Sequence, residues 1–373
     1  MRRLDETIDE LRSWEGVLRC GLHDASALLL QVGSFRRKIV AGTAVGSLGR
    51  ALATLRSRLD EIDHFGNAAQ VNRRSRTSDR EIAQLRDFVE RRAGESTVAD
   101  LPTTWMCQTL SLDLSRALRY MTDPTLCEVV IDAGGELPIP NRDHELGFGK
   151  ATYVDDPLPI LLASDEGRSR LLHYICLDIE IAAAEICAKS IVDAPSMPSD
   201  FMVDMARQCW DEVRHAELLS DRIRELGMNV GTFPSDGSLW ERYHRGADLR
   251  ERLAIQHVVQ EGNGLDSGVA LTELLRVGGD DRTAAIFEYL VADEVNHVRV
   301  GNRWVRWLCG DSEEEFLQAV RQAAVRIGVK VPGSAPAALE LRLAAGFTPS
   351  SLQALLDESG LAAPLHQKTG DRP

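Results

Sequence analysis

Cysteine is sparse and irregularly spaced in this 373-residue chain. It has seven cysteines, an odd number, and no two of them form a CxxC pair. A disulfide framework or a thiolate zinc site would need paired or regularly spaced cysteines. The pattern is typical of a reducing compartment. The N-terminus, MRRLDETIDELRSWEG, also lacks the apolar stretch of a signal peptide. We therefore expect a cytoplasmic protein.

Long apolar runs and an excess of positive charge are also missing. No run of about eighteen apolar residues occurs, so no membrane span is predicted. The net charge of -14 argues against nucleic-acid partners, because phosphates repel an acidic surface. No GxGxxG or P-loop stands between a strand and a helix, so no nicotinamide, flavin or ATP site is expected. A small molecule remains the expected partner.

The N-terminal third of the chain has a helical pattern. Apolar residues at three- and four-residue intervals predict helices over 3–32, 48–63, 78–93 and 106–121. The helical pattern then ends. The residues around Ala133-Gly134-Gly135 could form a short hairpin. We therefore predict an N-terminal helical region at 1–125 and an irregular linker at 126–165.

Four longer helices follow. They are predicted over 167–192, 199–226, 248–277 and 282–309. Two helical hairpins with short turns, joined by a crossover of about twenty residues, are the connectivity of ferritin-like bundles. The predicted fold class is therefore all-α, a ferritin-like four-helix bundle at 166–311. C-terminal helices at 312–360 and a disordered tail at 361–373 complete the prediction.

An internal repeat lies within these four helices. Asp211-Glu212-Val213-Arg214-His215 and Asp293-Glu294-Val295-Asn296-His297 both read DEVxH. A glutamate on each partner helix precedes its copy, with Glu180 32 residues before Glu212 and Glu261 33 residues before Glu294. Two copies of one metal-binding hairpin would produce such matched spacing.

The spacing has a direct chemical reading. Glu and His at positions i and i+3 share a helix face, so each DEVxH helix offers a carboxylate and an imidazole inward. With one glutamate from each remaining helix, the donors are those of di-iron and di-manganese proteins. Oxygen and imidazole ligands suit iron or manganese, including a mixed pair. The predicted ligands of two metal ions are Glu180, Glu212, His215, Glu261, Glu294 and His297.

Several neighbouring residues keep more than one interpretation. Glu180 is preferred to Glu185 as a ligand because only Glu180 matches the second repeat. Asp178 and Glu217 are interpreted as surface residues or supports of the ligands. A hydrogen-bonded interior role is favoured for His173 and His257, and core packing for Cys176 and Cys209.

Glycines beside a predicted ligand form another unusual feature. Gly262, Asn263 and Gly264 follow Glu261, although each glycine inside a helix costs about 1 kcal/mol relative to alanine. A local distortion such as a π-type bulge, which is frequent at functional sites, is one interpretation. A close packing contact between helices is the other.

Several blocks together resemble a known family. They are LLHYICLDIEIA, VDMARQCWDEVRHAELLSDRIRELG, LWERYHRGADLRERLA, EGNGLD, ADEVNHVRVGNRWVRWL and LELRLAAGF. Their order is similar to that of ferritin-like proteins catalogued as a domain of unknown function, the four-fifty-five family. The resemblance covers about 168–350 and leaves the first 120 residues outside. Ile175 and the Gly262-Asn263 pair depart from the family pattern, which puts the pocket shape in doubt but no ligand.

The wider di-iron carboxylate superfamily implies supports for the histidines. By that resemblance, Asp211 would orient His297 and Asp293 would orient His215. It also implies dioxygen as co-substrate.

The expected function is an O2-dependent oxidase or oxygenase that hydroxylates, N-oxygenates, desaturates or cleaves a small organic molecule. A ferroxidase or peroxidase is the alternative, and a modifier similar to di-iron tRNA hydroxylases is a third. The electrons for turnover are expected to come from an external donor or from the substrate itself. The N-terminal helices could form a substrate pocket or a homodimer interface.

Overall fold

The computed structural model describes residues 4–63, 79–94, 101–126, 141–143, 146, 157–331 and 338–359. These residues form helices and connecting loops and contain no strand. The predicted all-α class is confirmed. The hairpin suggested around Ala133 and the tail at 361–373 lie outside the described residues. No described helix combines the length and apolar character needed to cross a membrane.

The chain divides into two compact units, Met1–Gly237 and Ser238–Pro373. The first unit contains α1 (Leu4–Gln31), α2 (Phe35–Ile62), α3 (Asp79–Gly94), α4 (Leu101–Met121), α5 (Leu158–Leu162), α6 (Asp165–Tyr174), a π-helical segment π1 (Ile175–Ile181), α7 (Ala182–Asp193) and α8 (Ser199–Glu225). Thus α6, π1 and α7 are one continuous helix, which pairs with α8 as predicted.

Helix α2 begins thirteen residues before its predicted start at residue 48. Its first fifteen residues contain three glycines, which lower the helix propensity of an isolated segment. In the folded unit, a Cβ added at Gly42 would lie 2.4 Å from the Val213 side chain. A Cβ at Gly46 would lie 2.4 Å from Trp210, and a Cβ at Gly49 would lie 2.5 Å from Ala206. All three neighbours belong to α8. The missing side chains therefore allow α2 to approach α8 closely, and this packing compensates for low local propensity.

The second unit contains α9 (Ser238–His244), α10 (Leu249–Leu253), a second π-helical segment π2 (Ala254–Gln260), α11 (Glu261–Val277), α12 (Asp281–Leu308), α13 (Glu313–Ile327), α14 (Leu339–Ala344) and α15 (Pro349–Ser359). Here α10, π2 and α11 form one continuous helix. It pairs with α12, so the third and fourth predicted helices also form a hairpin.

Capping residues and a glycine determine where the second hairpin begins and turns. The side chain of Asp248 accepts a hydrogen bond from the Glu251 amide at the start of α10. Asp280 accepts one from the Thr283 amide at the start of α12. Between α11 and α12, Gly279 has φ +80°, a conformation that residues with a Cβ rarely adopt. These local signals make the turn short and hold the two ligand-bearing helices antiparallel.

Candidate metal centre

Three predicted ligands of the first unit converge in its interior. Glu180 lies in π1, and Glu212 and His215 lie one helical turn apart on α8. His215 Nδ1 lies 3.1 Å from Glu180 Oε2 and 3.4 Å from Glu212 Oε2. One ligand atom from each residue lies within 4.8 Å of the others. We call these three residues the first triad.

The second unit brings together the three equivalent residues. Glu261 is the first residue of α11, and Glu294 and His297 lie on α12. His297 Nδ1 lies 3.0 Å from Glu294 Oε2, and the three ligand atoms lie within 4.8 Å of one another. These residues form the second triad. Glu294 is the most exposed of the six predicted ligands and retains only 9% of its accessible surface.

The donors of each triad fit a metal ion. Bonds of about 2.0–2.2 Å to nitrogen and oxygen place two ligand atoms of one ion at most about 4.4 Å apart. The separations between His215 and its two glutamates, 3.1 and 3.4 Å, and between His297 and Glu294, 3.0 Å, lie within that limit. Two carboxylates and one imidazole nitrogen within 4.8 Å of one another form an oxygen-rich donor set without thiolates. Carboxylates buried so closely also repel each other strongly unless a cation lies between them.

Two glutamine side chains contact the triads, and sequence reasoning missed both. Gln208 Nε2 donates to Glu212 Oε1 at 3.0 Å in the first unit. In the second, Gln256 Nε2 donates to Glu261 Oε1 at 2.7 Å. Each bond occupies one carboxylate oxygen, and the other oxygen of Glu212 lies 3.4 Å from His215 Nδ1. The i, i+4 spacing of Gln208 and Glu212 was a visible signal, whereas Gln256 and Glu261 meet at i+5.

Glu185, the competing ligand candidate, has other partners. Its Oε1 lies 2.5 Å from Lys38 Nζ, and its Oε2 lies 3.1 Å from Arg142 Nη2. All three side chains are buried. Burial lowers the pKa of the Lys38 ammonium, and the charge of Glu185 opposes that shift. Glu185 thus neutralises cations, while Glu180 faces His215.

The helical distortion lies on the other side of Glu261 from the predicted one. Segment π2 ends at Gln260, and Gly262 and Gly264 lie in regular α-helix. At Gly262 the packing interpretation applies, because an added Cβ would lie 3.0 Å from Arg342 Nη1. The first unit has a π-helical segment as well, and it contains Glu180. Both hairpins therefore widen their first helix at or just before the ligand glutamate.

The residues beside the first triad are interior ones. The Gly231 amide donates to His173 Nε2 at 2.9 Å, and burial lowers the pKa of His173 to about 4. Asp178 is buried, not on the surface, and accepts hydrogen bonds from the amides of Asp236 and Gly237. Burial is the main cause that raises its pKa. These bonds attach the loop after α8 to the first ligand helix.

The remaining neighbours have packing roles or lie outside the site. Cys176 and Cys209 are fully buried, and burial raises the pKa of both thiols, so both stay protonated. His257 is buried, and a Cβ added at Gly301 would lie 2.5 Å from the His257 Cβ. Glu217 is exposed.

Asp211 and Asp293, the predicted histidine supports, precede the DEVxH glutamates. Asp211 is buried and accepts hydrogen bonds from Arg207 Nε at 2.8 Å and Arg214 Nη2 at 2.7 Å. Asp293 is half-buried. Their predicted pairings with His297 and His215 join residues of different units and stay predictions.

A match to a known protein family covers the part of the chain that contains both triads. The chain matches the family described as "Protein of unknown function (DUF455)" over residues 121–353. An uncharacterized protein of Haemophilus influenzae is 28% identical over 166 residues, which are 43% of this chain and 57% of that protein. The chain thus aligns with little more than half of that relative's length. No solved structure matches it.

Proposed function

The chain belongs to the DUF455 family, whose function is unknown, and on that premise we propose that the two triads together hold a two-metal centre of the ferritin-like kind. The observation that carries the proposal is the repetition of one buried Glu, Glu and His triad in both hairpins. Six such donors are the full ligand set of the di-iron carboxylate proteins. Four carboxylates would balance two divalent ions.

We further propose that the protein is an O2-dependent oxidase or oxygenase acting on a small organic molecule. When bound, a pair of iron ions would supply electrons to dioxygen. The glutamates and histidines would hold the ions. Gln208 and Gln256 would hold one oxygen of Glu212 and of Glu261 away from them. The electrons would come from an external donor or from the substrate.

Burial favours an oxygenase over a ferroxidase. Each of the six residues exposes less than a tenth of its surface, and Cys176 and Cys209, which lie near Glu180 and Glu212, are fully buried. A closed, weakly polar surrounding protects a reactive oxidant from water. Iron entry for storage would instead require an acidic path. The net charge of -14 also disfavours a tRNA substrate.

The first experiment measures metal content after anaerobic Fe(II) reconstitution, in the parent protein and in a Glu212→Ala/Glu294→Ala double variant. The proposal expects about two iron ions per chain in the parent and none retained in the variant. Glu217→Ala is a matched control, because Glu217 is an exposed glutamate on the same helix as Glu212. A parent protein that binds no metal would refute the proposal.

A second experiment separates the oxygenase from the ferroxidase. Reduced, iron-loaded protein is mixed with O2 in the presence of excess Fe(II), and the oxidised iron is counted. An oxygenase stops after the bound pair is oxidised until reductant is added. Continued oxidation of the added Fe(II) would identify iron as the substrate instead.

A further inference from the structure

A second repeat accompanies the ligand repeat. Five residues after the ligand Glu180 lies Glu185, and five residues after the ligand Glu261 lies Asp266. Each carboxylate pairs with an arginine from outside its hairpin. Arg142 Nη2 lies 3.1 Å from Glu185 Oε2, with side chains 1% and 0% exposed. Arg342 Nη2 lies 2.7 Å from Asp266 Oδ2, with side chains 0% and 1% exposed.

Both arginines also donate to the backbone beside the ligand. Arg142 Nη1 donates to the Leu177 carbonyl at 3.2 Å, within π1 and three residues before Glu180. Arg342 Nη2 donates to the Gly262 carbonyl at 2.5 Å, one residue after Glu261. Each guanidinium therefore connects two points of one ligand helix, a backbone carbonyl near the ligand and a carboxylate one to two turns further on.

Additional contacts hold each arginine pair in place. In the first unit, Lys38 of α2 binds the other oxygen of Glu185. In the second, the Ala338 amide donates to Asp266 Oδ1 at 3.0 Å. The supports come from the N-terminal helices and from the C-terminal segment. Neither region contributes a predicted ligand.

Stability alone is a weak reason for these pairs. A buried ion pair is often no more stabilising than apolar residues of the same volume. Two unrelated arginines nevertheless pair with carboxylates that stand five residues after a ligand glutamate. Each arginine also donates to the backbone of that ligand helix. A rise of about 1.5 Å per residue places each carboxylate about 7.5 Å along the axis from its ligand, so it is no ligand itself.

We propose that Arg142–Glu185 and Arg342–Asp266 are matched positioning pairs that fix the helix backbone at Glu180 and Glu261 for metal binding. This inference rests on the proposed two-metal centre. Neither arginine would touch the ions. Each would keep its ligand carboxylate in the orientation that the triad needs.

The test compares Arg142→Lys and Arg342→Lys with a matched control, Arg19→Lys. Arg19 is also buried and donates to backbone carbonyls, those of Pro195 and Met197, but it contacts no ligand helix near a ligand. Fe(II) affinity is measured anaerobically by competition with a chromophoric chelator. Near-infrared magnetic circular dichroism of the ferrous protein reports ligand geometry, and thermal unfolding reports stability.

Both test variants are expected to bind Fe(II) about 10–100-fold more weakly than the parent, with shifted ferrous bands. Arg19→Lys should lose comparable thermal stability yet keep the parental affinity and spectrum. Parental affinity and spectrum in both test variants would overturn the inference and leave the metal centre intact. A parent protein that binds no Fe(II) would instead remove the proposed function itself.

A second variant keeps the test valid if an arginine variant fails to fold. Gly262→Ala retains every charge but places a methyl group against the Arg342 guanidinium. Its control is Gly264→Ala, because a Cβ there meets no atom within 4 Å. Weaker Fe(II) binding in Gly262→Ala alone supports the inference, and equal binding in both contradicts it.

Discussion

The two ligand hairpins carry the same donors but are supported by different parts of the chain. In the first unit, α1 packs on α7 and α2 packs on α8, so long N-terminal helices cover the hairpin. In the second unit, α13 packs on π2, and the short helix α14 packs on α11 and α12. The donors keep their spacing in both cases. The comparison teaches that the ligand pattern belongs to the hairpin, while its support can be built from unrelated segments.

The largest expected difference between the units concerns their buried ion pairs. Glu185→Gln would leave Lys38 and Arg142 buried without their anion, and should lower the free energy of unfolding by about 3–5 kcal/mol. Asp266→Asn leaves only Arg342 without its anion, so the loss of unfolding free energy should lie at the low end of that range. Urea unfolding followed by circular dichroism measures both. Glu217→Gln, an exposed control, should change little, and a similarly small change in Glu185→Gln would contradict the prediction.

Acid should weaken the first unit through His173. The unfolded chain binds a proton below about pH 6.5, whereas burial lowers the pKa of folded His173 to about 4. The folded state therefore loses stability as the pH falls from 6.5 to 4, by about 3 kcal/mol in total. His173→Gln should remove this part of the pH dependence.

The comparison between the units sharpens that prediction. The residue at the same distance before Glu261 is Ala254, which cannot titrate. Free energies of unfolding of the parent and of His173→Gln are compared between pH 7 and pH 4. Parallel curves for the two proteins would show that folded His173 binds its proton over the same pH range as in the unfolded chain, and would refute the assignment.

Close packing of α2 on α8 predicts an effect confined to the first unit. Gly46→Ala places a methyl group 2.4 Å from the Trp210 Cβ and should destabilise the protein by about 1–3 kcal/mol, despite the better helix propensity of alanine. Gly16→Ala on α1 is the matched control, because its Cβ would meet nothing within 4 Å. In thermal unfolding, the melting temperature should fall for Gly46→Ala and rise for Gly16→Ala. Equal melting temperatures would mean that α2 can move away from α8.

The smallest expected effect lies in the second unit. Gly264→Ala adds a methyl group in open space inside α11 and should stabilise the protein by about 0.5–1 kcal/mol. Gly262→Ala should gain less or lose stability, because Arg342 Nη1 occupies the space 3.0 Å from the new methyl. Chemical denaturation resolves the difference. A Gly262→Ala variant stabilised as much as Gly264→Ala would show that Arg342 is free to move.

Several structural features were predictable from local sequence. The DEVxH spacing placed Glu212 with His215 and Glu294 with His297, since a helix brings positions i and i+3 to one face. Matching the two copies then selected Glu180 over Glu185, and the structure pairs Glu185 with cations instead. Family membership was also predictable, because the motif blocks keep their order along the chain.

Other features depended on contacts distant in the sequence. The early start of α2 depends on α8, whose side chains meet glycines more than 150 residues away. The position of π2 before Glu261 was missed because Gly262 suggested a distortion on the other side. That glycine instead makes room for Arg342, which lies about eighty residues further on.

By itself, the sequence determined the helical class, the turn at Gly279 and the ligand spacing, because each follows from hydrogen bonds and side-chain periodicity within a few residues. Only the tertiary structure decided which buried charges meet and where the ligand helices widen. Those outcomes depend on satisfying charges and packing side chains from segments that are remote along the chain. Arg142 and Arg342 illustrate the division, since nothing near either residue in sequence indicates its carboxylate partner.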